Sequence, residues 1–187
     1  MEPSLRSSSY RASECKLKKT ETSLHETVQR FVESLCPDVR ISQYADLNFA
    51  AKKFGNGHPE RWCILEPVPG GRVGYLVLAP NRPAVWLDDQ LKQSVCVQMR
   101  VESRLYQRHT VFIASLNKSA GLLRFEDTWH IMGKSLLETP FTQRWEHVLN
   151  FFHDSYKPDL HLQQGLRIEP AIFHPLTQFT ALVSVPI

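Results

Sequence analysis

The chain has 187 residues, 42% hydrophobic and 22% charged, with a formal net charge of +3. That length suits one ordinary domain, and no apolar run approaches the roughly 20 residues that span a bilayer or forms the core of a secretory signal, which sets the membrane-spanning and secreted classes aside. The mild positive charge permits an anionic ligand such as a nucleotide or an RNA end without requiring one.

In chain order, residues 1–22 ("MEPSLRSSSYRASECKLKKTE" and Thr22) are rich in Ser, Arg and Lys and poor in large apolar groups, and read as a flexible basic tail. Residues 23–187 read as a single domain. Ser23 and Glu26 have capping-box spacing, and Val28, Phe31, Val32 and Leu35 follow at helical intervals, so a scaffold helix is expected to stop near Pro37. From Trp62 to Leu87, apolar runs divided by Pro-Gly-Gly and Asn-Arg-Pro predict an antiparallel meander. Val95, Val97, Met99 and Val101 alternate with polar residues, as one half-buried strand does. "TVFIASLN" and "GLLRFEDTW" predict a further strand pair, the second strand ending at Glu126-Asp127. Trp145, Val148, Leu149 and Phe152 recur at helical spacing after Pro140, and "LRIEPAIFHPL" and "FTALVSVPI" close the chain as two more strands. The sum is an α+β fold dominated by antiparallel sheet with few helices.

Cys15, Cys36, Cys63 and Cys96 lie far apart with no CxxC pair, and the eight histidines show no ligand spacing. Free thiols in a reducing compartment, cytoplasmic or nuclear, and no metal site are the expectation, with no membrane partner.

One segment has a more specific pattern. In "FEDTWHIMGKSLLETPFTQRW", Glu126-Asp127 is followed by Trp129, Gly133, Leu136, Pro140, Phe141 and Arg144. This resembles a motif of the covalent nucleotidyltransferases, the superfamily of ATP-dependent DNA and RNA ligases and messenger RNA capping guanylyltransferases. Upstream, "KKFGNGHPERWCILEPVPGGRVGYLVLAPNRPAVWL" is similar to the family's first motif and its nucleotide-cradling hairpin, with Lys52 or Lys53, Gly55 and Arg61 in comparable places. In the family that lysine attacks the α-phosphate and forms a lysyl-nucleotide. The resemblance implies an antiparallel-sheet-rich nucleotidyltransferase-like domain, ATP-grasp-like in its ligase and capping-enzyme form, without the oligonucleotide-binding fold that usually follows. It also implies a cleft between the Trp62–Leu87 meander and the later strands.

The chain departs from the pattern where chemistry is needed. Phe54 stands where the first motif carries a polar residue, Ala114 and Ser115 stand where acids should hold ribose and metal, and Pro170 replaces a Gly beside Glu169. "TQFTALVSVPI" has no Lys or Arg for the phosphates. The pattern is closer to the snurportin-type cap-binding domain, which resembles the capping-enzyme fold without its catalytic lysine. The implied function is therefore a catalytically silent module that binds a nucleotide, an RNA 5′ end or cap, or a protein partner within a larger assembly. Trp86 and Trp129 are the base-stacking candidates, Lys53 and Arg61 the phosphate contacts, and Glu169 a structural acid or guanine-edge acceptor. Two alternatives stand beside it. One is a divergent guanylyltransferase or ligase using Lys52 or Lys53 with Mg; the other is a structural subunit of a viral or ribonucleoprotein assembly.

Overall fold

From Arg72 to Ile131 the period-two stretches send apolar side chains to both faces of one sheet, so the sheet must be covered twice. The structure, a computed structural model, describes residues 17–35, 63–159 and 161–175. Its strands are β1 (Cys63–Leu65), β2 (Arg72–Leu78), β3 (Ala84–Asp88), β4 (Ser94–Val97), β5 (Arg100–Val101), β6 (Thr110–Asn117), β7 (Leu122–Ile131), β8 (Lys134–Ser135), β9 (Tyr156–Lys157), β10 (Arg167–Pro170) and β11 (Phe173–Pro175). The helices are α1 (Thr22–Leu35), α2 (Arg104–Gln107) and α3 (Phe141–Asn150), the last continued by a π-helical turn, Phe151–Ser155. The main sheet has the order β10-β7-β6-β2-β3-β4, with β8 beside β7. Its pairings are antiparallel except the parallel pair of β10 and β7. The α+β, mainly antiparallel architecture that the periodicity predicts is what forms.

Each face has its own cover. On one, Leu76, Leu78, Trp86, Phe112 and Phe125 pack with Val148 of α3 and Phe151 of the π-helical turn. On the other, Tyr75, Val77, Val85, Val111 and Ile113 pack with Val28 and Val32 of α1. The result is helix, sheet, helix. Gly74 is what lets Trp86 lie flat on the first face: a Cβ there would sit 2.2 Å from Leu87 O and 2.9 Å from the indole. Leu17 to Thr20, assigned by composition to the tail, run along the outer edge of β4. There Lys19 bridges Val95, and Cys96 N–H donates to Lys18 O at 3.0 Å. This segment covers an edge that would otherwise offer unpaired backbone groups.

Several local expectations are corrected. The meander is two strands, not three: β1 pairs with β11 in a separate small sheet, and β2 begins only at Arg72. The Val95–Val101 alternation is real, but its partner changes midway, β4 pairing with β3 and β5 with β9. Ser23 lies inside α1, which begins at Thr22, so it is not the N-cap. Strand β7 does not end at Glu126-Asp127. It continues to Ile131 through two bulges opposite β6 that leave Glu126 and Trp129 without register partners. Because β2 hydrogen-bonds directly to β6, no cleft separates the β2–β3 hairpin from β6 and β7 among the described residues. Lys52, Lys53, Gly55, Arg61, Trp62 and the final "FTALVSVPI" lie outside the described residues.

Candidate functional site

The polar groups of β7 are the natural place to look, because a strand buried on both faces has little reason to contain Arg, Glu, Asp, Thr and His unless each is held by a partner. Arg124 is the first. Its side chain is 8% exposed and lies between Ser115 of β6 and Glu169 of β10, its register partners on either side. Nε and Nη2 both donate to Glu169 Oε1, at 3.0 and 2.6 Å, and Nη1 reaches Glu66 O at 3.4 Å. Arg167 approaches the other Glu169 oxygen at 3.4 Å, and His174 on β11 faces Glu66 at 3.4 Å. One buried guanidinium thus fastens the small β1–β11 sheet to the main one.

Glu126 comes next. Ser115 Oγ donates to its Oε1 within the buried layer. Burial pushes this carboxyl above the ordinary glutamate range; the Ser115 bond and the Arg124 charge oppose that, and Asp127 adds to it. Asp127 has a different environment. Arg144 of α3 grips both its oxygens, with Nε at 2.9 and 3.1 Å and Nη2 at 2.8 Å, while Nη1 donates to Thr139 O at 2.6 Å. This is the bidentate fork that a planar guanidinium makes best, and it clamps helix α3 to the middle of β7. Farther along, Thr128 Oγ1 and His130 Nδ1 are buried without a hydrogen-bond partner, and burial lowers the proton affinity of His130.

The candidate residues fall into three groups. Trp86 is 1% exposed and its indole N–H donates to Ala114 O at 2.8 Å, while Trp129 is 8% exposed and meets Tyr75 edge-on at 5.7 Å. Both rings are core, and neither presents a free face for a base. Glu169 is 29% exposed at its side chain, but both oxygens face arginines, which favours its structural role. Lys52, Lys53 and Arg61 lie outside the described residues. The sequence reading missed Arg124, Glu66 and His174. An arginine within the apolar run "LLRFE" is the one signal that something must neutralise a charge there.

Among the described residues no group of three or more His, Cys, Asp or Glu could hold a metal ion, and no helix is long and apolar enough to cross a membrane. A pocket of about 310 Å³ opens between α1 and the β3–β4 loop, lined in part by Gln29, Glu33, Tyr75 and Asp89, on the face opposite α3. The carboxylates of β7 and β10 are held by Arg124, Arg144 and a serine hydroxyl, so the arrangement supplies mechanical coupling between the strands and α3. No protein-family model matches the chain, and no curated protein matches it.

Proposed function

We propose that this chain is a catalytically silent nucleotidyltransferase-like module that binds a nucleotide or an RNA 5′ end. The observation that supports it most is the segment from Asp127 to Arg144. Its Asp, Gly, Leu, Pro and Arg are a strand residue, a hairpin turn, a buried anchor, the residue before a helix, and the helix residue that grips the Asp. In outline this follows the strand, loop and helix order of the superfamily motif, with β7 running on past Asp127 to Ile131 and the short β8 lying within the loop. Ala114 and Ser115 support the silence, for they are buried on β6 at the positions where the superfamily needs acids to hold ribose and metal. The phosphate contacts in this reading are Lys53 and Arg61. With both tryptophans in the core, the base is held by something other than their faces.

Incubation with α-labelled GTP or ATP and Mg²⁺, followed by denaturation, tests the silent half of the reading. No covalently labelled band is expected. A band abolished by Lys52→Ala or Lys53→Ala would show instead an active, divergent enzyme. Equilibrium dialysis against GTP and against a capped oligoribonucleotide tests the binding half, and uptake of neither, up to millimolar GTP, would overturn it.

A further inference from the structure

One end of the main sheet gathers positive charge from three separate turns. Arg82 sits in the β2–β3 turn, and because Leu78 is in register with Thr110, that turn lies at the start of β6. Arg108 and His109 immediately precede β6. The β7–β8 turn folds over the same place: Gly133 N–H donates to His109 O at 2.8 Å, and Met132 N–H donates to Thr110 Oγ1 at 3.1 Å. The stem of Arg108 lies against Gly133, where a Cβ would be 3.4 Å from its Cδ, and Lys134 is the next residue along. Arg82, Arg108 and Lys134 are exposed, and among the described residues none has an acidic partner. Arg82 belongs to the same end as His109, for burial and, after it, the Arg82 charge lower the proton affinity of that imidazole. The imidazole itself stacks on Phe31 of α1, ring centroids 3.8 Å apart and planes 24° from parallel.

We propose that this end of the sheet is a binding surface for single-stranded RNA, with Arg82, Arg108 and Lys134 on successive phosphates and the Phe31–His109 stack beside the bases. Exposed cations gathered at one end of a sheet, with no acidic partner among the described residues, raise the local positive potential, and a polyanion is drawn to it. Flat rings beside unpaired cations are the two components of sequence-tolerant single-strand binding. A lipid surface would need an amphipathic apolar face, and the patch offers one exposed apolar side chain, Met132 at 39%. The surface is separate from the nucleotide reading above and stands without it.

The test is fluorescence anisotropy of a labelled oligouridylate titrated with the full chain across a salt series. The triple variant Arg82→Gln, Arg108→Gln, Lys134→Gln keeps the aliphatic stems and removes the charges. Affinity should fall at least tenfold, and the slope of log K against log salt should flatten by about 0.7 for each phosphate that the variant no longer neutralises. The control, Arg100→Gln with Lys157→Gln, removes an exposed cation pair on the β5–β9 ribbon and should bind as the parent does. Equal losses in both variants, or a triple variant that matches the parent in affinity and slope, would overturn the proposal. So would binding to anionic phospholipid vesicles without binding to RNA. If the triple variant still takes up GTP in dialysis, a loss of RNA binding belongs to this surface alone.

Discussion

Arg144 shows what single residues do in this chain. Its guanidinium holds both oxygens of Asp127 and the Thr139 carbonyl, and both side chains are mostly buried. Removing it leaves a carboxylate with little water to replace three charge-assisted bonds. Arg144→Ala should therefore lower unfolding free energy by about 3 kcal/mol in urea titration, and Arg144→Lys should recover only part, because an ammonium cannot form the fork. Trp86→Phe keeps most of the packing but removes the indole bond to the Ala114 carbonyl, which also stands in register with Gly74 in the sheet. Its expected cost is about 0.5–1.5 kcal/mol, read the same way with no ligand present. His130 adds a pH dependence of definite sign. Its folded proton affinity is lowered by burial from the ordinary 6.5, so the unfolded chain binds the extra proton first. Its contribution is intact above that value and is lost as pH falls through the lower folded pKa. The urea midpoint should drop on acidification below pH 6.5, and His130→Gln should drop less.

At the scale of elements, the β7–β8 hairpin is the most exposed choice the sequence makes. Met132 and Gly133 are its two turn residues, with φ of 49° and 81°. A two-residue hairpin with both φ positive favours Asn-Gly, and methionine in the left-handed region is strained. Met132→Asn should raise stability by about 0.5–1 kcal/mol, while Gly133→Ala should lower it, since a side chain at φ +81° is strained. How much of such local structure was legible depends on what periodicity reports. It tells which side chains are buried, so α1, the β2–β3 hairpin, the β6–β7 pair and α3 were all readable from Val28 and Val32, the Arg72–Asp88 runs, "TVFIASLN" and Trp145–Phe152. It does not tell which strand is the partner. That is why β1 was joined to β2 and why the Val95–Val101 run was read as one strand. Bulges are equally silent, because Glu126 and Trp129 each add a residue without breaking the strand.

On the scale of the whole molecule, the two apolar faces explain why aromatic residues that looked available are not. A sheet covered by α1 on one side and α3 on the other consumes Trp86 and Trp129 as packing, and polar turn neighbours in the sequence give no hint of that. The polar cluster around Arg124 was invisible for the same reason: its partners Glu66, Glu169 and His174 come from segments 45 to 108 residues apart in their pairings. The succession of strand and helix around Asp127 and Arg144 was legible because all of it is local. The central claim, a nucleotide or RNA-end binder built on this scaffold, is tested most directly by melting the full chain in the presence of GTP and of a capped oligoribonucleotide. A ligand that binds the native state must raise the melting temperature, and the rise should grow with the logarithm of ligand concentration beyond Kd. Such a rise with at least one of the two ligands is the predicted result; melting temperatures unmoved by either ligand up to millimolar GTP would contradict the account.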